Sequence, residues 1–236
     1  MRRKYLNCSV VETGEGFAPA LDGKTMRTPA GAPFLLPNRA LAERVAAEWN
    51  AVGEKAEIDP KLMPMTRLAT TAIDRVRTQR DQVIDEITAY GRTDLLCYRA
   101  GQPASLVERQ NAGWNPWLDW AQTRFAVSLA VTQGVMPIAQ DEAAIERLRQ
   151  AVARFDDFAL SGLFNLTAML GSLVLALAVL QQELDIERAA DLAEIDAVFQ
   201  AERWGEDHFA TKRRRDVRHD IAQVGKFLTL LSPSGL

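Results

Sequence analysis

Between Phe158 and Gln182 the chain carries no charged residue over 25 positions, and this run limits what the molecule can become. It is long enough to cross a bilayer. Polar Ser161, Asn165, Thr167 and Ser172 lie inside it, as do Gly162 and Gly171. Asp156, Asp157, Glu183 and Asp185 flank it without a Lys/Arg cluster to orient insertion. The run therefore reads as buried protein: a central helix, or two meeting near Gly171-Ser172, covered on all sides. No membrane insertion is expected.

The surrounding composition suits that reading. Among 236 residues, 47% are apolar, and 28 Lys+Arg face 31 Asp+Glu for a formal net charge of -3. This is the balance of a globular chain with enough residues for a sizeable core, and it gives no global attraction to nucleic acid or an anionic membrane. The two cysteines, Cys8 and Cys97, form no C-x-x-C pair, which suits a reducing compartment and leaves no disulfide framework. The basic start Met1 to Leu6 is followed by Asn7, Ser9 and Glu12 rather than an apolar run, so secretion is not expected.

The N-terminal stretch is β-prone. Tyr5, Leu6, Cys8, Val10 and Val11 form one run, and Phe17 to Leu21 form a second that meets Asp22-Gly23, a dipeptide suited to a two-residue hairpin turn. Lys24 to Thr28 is the expected return strand, with Phe34-Leu35-Leu36 after a Pro29-Ala30-Gly31 turn. Helical spacing starts at Asn38, a suitable N-cap, with Leu41, Val45, Trp49 and Val52 on one stripe. Pro60 and Pro64 mark a connector. Beyond it, Thr66 is expected to cap a helix carrying Ala69, Ile73, Val76, Val83 and Ile87. Asn115-Pro116 is expected to open another helix, with Pro116 at the first helical position, and Asp141 a third. Leu192, Ile195 and Phe199 follow, and a last helix runs through Val217, Ile221, Val224 and Leu228 to Ser232-Pro233. The expected fold is α+β: a small antiparallel β-rich domain with one helix over 1–60, then a helical domain over 61–236.

Catalytic signatures are missing from the sequence. His208 and His219 stand eleven apart, about 16 Å along a helix, too far to share a metal. Cys97 sits in the apolar Leu95-Leu96-Cys97-Tyr98, the setting of an inert buried thiol. Neither Ser161 nor Ser172 lies in a G-x-S-x-G elbow, and Gly14-x-Gly16 leads into more strand rather than a helix N-terminus, so no nucleotide fingerprint exists. No cofactor and no metal are expected. Lys212 to Arg215 with Arg218 is the one basic cluster, but Asp207, Asp216 and Asp220 interleave it, the pattern of a solvated helix face. Arg214 falls in line with Val217 and Ile221, where a buried position would demand a carboxylate partner. Trp114, Trp117 and Trp120 share about one side of a helix and fit either core packing or an aromatic anchor for a partner.

Several stretches, taken in order, resemble one family. They are Leu21-Asp22-Gly23-Lys24 with Arg27-Thr28-Pro29, Ala47-Glu48-Trp49, Met63-Pro64-Met65-Thr66-Arg67-Leu68-Ala69, and Thr93-Asp94-Leu95-Leu96-Cys97-Tyr98-Arg99-Ala100. Gln110, Trp114-Asn115-Pro116 and Trp120 follow, then Gln200 and Trp204-Gly205-Glu206-Asp207. The set is similar to the assembly chaperones of the ATP synthase catalytic head, the family of mitochondrial assembly factor twelve and its bacterial relatives.

The resemblance implies a non-enzymatic protein that binds the free α subunit of that head and keeps it from aggregating until the β subunit replaces the chaperone. It implies a β-rich N-terminal domain and a helical C-terminal one. A monomer without nucleic-acid partners is expected, and the short basic start points to a bacterial cytoplasmic setting, or the mitochondrial matrix for a processed form. Candidate partner-binding residues on these motifs are Asp94, Tyr98, Arg99, Trp114, Trp120, Gln200, Trp204 and Asp207. Where the family pattern places an acid three positions before Gln200, this chain has Ala197, with Asp196 just before it. The readings from other classes are a small helical enzyme around Cys97 or His208, and a nucleic-acid scaffold using Lys212 to Arg218.

Overall fold

The computed structural model describes residues 2–134, 136–205 and 207–231. Strands β1 (Cys8–Thr13), β2 (Gly16–Leu21) and β3 (Lys24–Thr25) form an antiparallel sheet in the order β1-β2-β3. Helix α1 (Arg39–Ala51) follows, then α2 (Pro64–Thr71), α3 (Arg80–Ala89) and a two-residue strand β4 (Tyr98–Arg99). After α4 (Ala104–Phe125) comes β5 (Thr132–Gln133), which pairs with β4 in parallel. The rest is α5 (Glu142–Val152), α6 (Asp157–Leu170), α7 (Leu173–Leu180), α8 (Ile186–Ala193), α9 (Ile195–Trp204) and α10 (His208–Leu231). The expected class, a small antiparallel sheet followed by a mostly helical region, is what forms. The Ser232-Pro233 end expected for the last helix lies outside the described residues.

By internal contacts the chain forms two compact units: residues up to 80 with 157–162 and the stretch from 223 on, and residues 81–156 with 163–222. In the first unit the hairpin turn has Asp22 at φ 47 and Gly23 at φ 83, the doubly left-handed backbone that Asp-Gly suits. Gly16, at φ 145, holds its backbone so close to Leu36 that a Cβ there would stand 2.7 Å from the Leu36 carbonyl oxygen. Asn38 caps α1, its Oδ1 accepting from the Leu41 N–H at 2.9 Å. Asn50 fastens that helix to the sheet by bonding both the N–H and the carbonyl of Cys8, each at 2.8 Å.

Thr66 does not cap the next helix, which begins two residues earlier at Pro64. Its N–H and hydroxyl donate to Glu48, at 2.8 and 2.7 Å, and the Met65 N–H adds a third bond at 2.7 Å. A carboxylate from α1 thus satisfies the open N–H groups of α2, a role the chain cannot reveal locally. The apolar stripe from Ala69 to Ile87 is also interrupted, by a π turn at Ala72–Val76 and the break before α3.

In the second unit the uncharged run divides as its glycine suggested. Gly171 takes φ 65 and Ser172 caps α7, accepting from the Leu175 N–H at 3.1 Å. Leu173 to Ala178 are all wholly buried and only Val179 is half-buried, which suits a helix that is apolar around its circumference. No helix among the described residues is long and apolar enough to cross a membrane.

Pro116 corrects a sequence expectation. It lies inside α4, which starts twelve positions earlier at Ala104. The proline removes one backbone donor and strains one turn, yet Gly113 and Trp114 just before it are fully packed. Tertiary burial on that face outweighs the local break. The helix near Asp141 forms as expected, with Asp141 as its cap.

Candidate partner-binding groove

The second unit is organised around α4. At Gly113 the helix comes so near its neighbour that a Cβ would meet Ile195 Cδ1 at 2.7 Å and Leu192 Cδ2 at 3.1 Å. Trp114 is wholly buried and its indole N–H donates to the Leu192 carbonyl at 2.8 Å. Gln110, 1% exposed, accepts from the Ala100 N–H at 2.8 Å and donates to Asp196 at 2.6 Å. On the surface Arg109 pairs with Glu202 at 2.8 Å. Together these fix the end of α8 and the length of α9.

Two other motif residues act on the same frame from inside. Arg99, 6% exposed, donates to the Leu96 carbonyl at 2.7 Å and to Asn111 at 3.2 Å, and its guanidinium lies 5.1 Å from the Trp114 ring centre. Burial pulls its pKa below the ordinary arginine value. Asp94 is wholly buried at the start of α7 and takes hydrogen bonds from the Ser172 hydroxyl and the N–H groups of Leu96, Leu173 and Val174. Burial nevertheless pushes its carboxyl up to about 6, and the hydrogen bonds only partly oppose this. Cys97 is wholly buried, its thiol pushed up to about 12 first by burial and then by Asp94. Such a thiol is almost wholly protonated at neutral pH and is a poor nucleophile.

What this frame presents outward is a groove of about 450 Å³ along α8, α9 and the first half of α10. Its floor is made of small side chains, among them Ala190, Ala193, Ala197 and Ala201, with Val217 and Ile221 on α10. Gly205 at φ 87 ends α9, its N–H returning to the Ala201 carbonyl at 2.9 Å, and Asp207 caps α10 by accepting from Ala210 N–H at 3.1 Å. That is the physical content of the Trp-Gly-x-Asp motif: stop one helix, turn, start the next. Glu206, within the motif, lies outside the described residues. Arg218 holds the two arms together by bonding Asp191 and Glu194, each at 2.8 Å.

The eight candidate residues thus divide. Gln200, Trp204 and Asp207 come together at the groove, with Trp204 75% exposed. Asp94, Arg99 and Trp114 lie in the interior. Tyr98 and Trp120 are half-buried, Trp120 edge-on to Trp117 and Phe125. Phe209, 80% exposed on the first turn of α10, escaped the sequence reading. Its signal was an aromatic among charges at a helix start. Lys212, Arg213 and Arg215 are exposed, and Arg214 is half-buried on the groove side. His208 and His219 are exposed on one helix, and among the described residues no three His, Cys, Asp or Glu side chains gather as metal ligands.

Residues 2–122 match the family model described as ATP12 chaperone protein. The solved Atp12 of Paracoccus denitrificans is 41% identical, superimposes with a TM-score of 0.91, and 98% of each chain is covered. The Atu1473 protein of Agrobacterium tumefaciens is 38% identical with a TM-score of 0.90, over 98% of this chain and 86% of its own. The mitochondrial protein atp12 of Schizosaccharomyces pombe is 22% identical over 216 residues, which is 86% of this chain and 74% of that one. The expectation of an ATP synthase assembly chaperone, drawn from the ordered motifs, is borne out at the level of the family: the chain belongs to the ATP12 chaperone family.

Proposed function

We propose that this chaperone binds the free α subunit of the ATP synthase catalytic head through the groove along α8, α9 and α10, and releases it when the β subunit arrives. The observation that carries this reading is the exposure of Trp204, at 75%, on the lining of an alanine-floored groove, with Phe209, 80% exposed, next in sequence to the lining residue Ala210. Large aromatics left in water next to concave apolar surface are the usual anchors of a protein interface. An unpartnered subunit exposes apolar contact area that associates nonspecifically, so a protein that covers it needs area and anchors but no catalytic group. Exchange for the true partner then follows mass action.

On this reading the molecule works as a monomer without a cofactor, in the bacterial cytoplasm or the mitochondrial matrix where the head is assembled. Mixing the purified protein with isolated α subunit and recording light scattering tests it. Scattering should fall with chaperone present, and adding β subunit should free the chaperone. Unchanged α-subunit aggregation would remove the reading.

A further inference from the structure

A second concavity, of about 520 Å³, lies wholly within the first unit, where the hairpin and its following turn face α1, the 58–63 connector and the start of α2. Its surface is overwhelmingly apolar, built on Leu21, Met26, Phe34, Trp49 and Met63. Three observations say what it would take.

The first is an orphaned donor. Trp49 lines the cavity, and its indole N–H is buried without an acceptor among the described residues, whereas Trp114 in the other unit has one. A covered donor left unpaired is a cost that folded chains ordinarily avoid. A carbonyl or carboxylate oxygen that reached this N–H would supply what is missing.

The second is charge. The two charged residues on the lining are Arg27 and Arg67, both exposed. Carboxylates beside the lining accept from neutral donors: Glu48 from the first turn of α2, Asp74 from the Thr28 hydroxyl and the Ala30 N–H at 3.0 Å, and Asp59 from the Lys61 N–H at 2.9 Å, while Arg27 also donates to the Gly31 carbonyl at 2.7 Å. The charged groups that the lining itself presents are therefore cationic, and they suit an anionic group on an occupant.

The third is extent. Leu62, next in sequence to the lining residue Met63, leaves a further apolar side chain 78% exposed. A small amphiphile would be held by the cavity alone, while a polypeptide uses both.

From these we propose that the cavity is a separate docking site for a partner polypeptide, receiving an apolar side chain followed within a residue or two by a carboxylate. The carboxylate meets Arg27 and Arg67, and a backbone or side-chain oxygen meets the Trp49 indole. The choice of a polypeptide rests on the chaperone reading above, but the site is in a different unit from the groove.

The test uses the full chain, labelled with nitrogen-15, and two blocked hexapeptides, Gly-Leu-Phe-Asp-Glu-Gly and Gly-Leu-Phe-Lys-Lys-Gly. The Trp49 indole resonance is assigned by its loss in Trp49→Phe or by through-bond connectivity. The acidic peptide should shift that resonance saturably and the basic one should not. Arg67→Glu and Arg27→Glu should each weaken the response about tenfold, while Arg67→Lys retains it. Both arginines are exposed, so these variants should keep the parent spectrum and melting temperature. Equal shifts by the two peptides, no shift by either, or a shift by dodecanoate alone would each overturn the proposal. A positive result with no effect of the chaperone on α-subunit aggregation would leave this site standing and remove the groove reading, and the converse result would do the opposite.

Discussion

Gln110 on α4 and Asp196 on α9 are joined by a 2.6 Å hydrogen bond across 86 positions of sequence, and the same glutamine accepts from the Ala100 N–H on its other side. One buried amide thus ties the Leu-Leu-Cys-Tyr-Arg-Ala motif to the helix that floors the groove. The carboxylate it holds stands directly before Ala197, one of the small residues of the groove floor.

Replacing this amide should be felt throughout the second unit. Gln110→Met keeps the volume but leaves the Ala100 N–H and the Asp196 carboxylate without their partner. The expected loss is about 1–2 kcal/mol by chemical unfolding, since groups left unpaired cost about 1–3 kcal/mol each when buried and less where, as at Ala100 and Asp196, the residue is half-buried. A change below about 0.5 kcal/mol would mean the bond does not hold α9 in place.

The buried carboxyl of Asp94 should leave a mark on the pH dependence of stability. Its folded value, about 6, lies above the ordinary 3.8, so the folded state binds the proton more tightly. Its contribution is therefore greatest below about pH 4 and is lost as pH rises through 6. The difference of about 2 units corresponds to about 3 kcal/mol at 1.36 kcal/mol per unit. Cys97, the titratable group beside it, stays a thiol across that range because its value is about 12. Denaturant unfolding of the parent and of Asp94→Asn from pH 4 to 7 should show the parent losing stability relative to the variant. Parallel curves would contradict the buried, ion-disfavouring site.

At the groove the prediction concerns binding rather than folding. Trp204→Ala and Phe209→Ala remove surface that is mostly in water, so melting temperatures should stay within a degree or so of the parent. Affinity for the α subunit should fall by about 2 kcal/mol for an anchor residue, roughly thirtyfold. Titration calorimetry with isolated α subunit checks both variants, and Trp117→Ala, on a half-buried ring outside the groove, serves as comparison.

Thiol labelling separates the inert cysteine from a reactive one. Cys97 is wholly buried and Cys8 4% exposed, with thiols pushed up to about 12 and about 11. Both should resist iodoacetamide at neutral pH until the chain unfolds, and mass spectrometry of timed samples reads this directly. Rapid native labelling of Cys97 would reopen the enzyme reading.

Features decided by adjacent residues were legible in the sequence. Asp22-Gly23 makes its hairpin turn because two left-handed residues in a row leave little choice, and Asn38 caps α1 with its own side chain. The uncharged run could be split at Gly171 for the same reason. Features decided across the chain were not. Glu48 replaces Thr66 as the group that satisfies α2, from 18 positions away. Pro116 reads locally as a start, and only the packing of Gly113 and Trp114 against Leu192 and Ile195 shows why the helix passes through it. The motif strings carried the family, but not which of their residues face inward. Asp94 and Trp204 look equally striking as letters, and only burial separates them.

The alanine floor of the groove also bears on timing. Side chains of one carbon offer an occupant a smooth bed with little to interlock, so contact there adds area without deep keys. Dwell time then falls to the few aromatic and charged groups at the edge, and a bound segment can peel away stepwise instead of all at once. A surface of that kind suits a holder whose task ends when a better partner arrives.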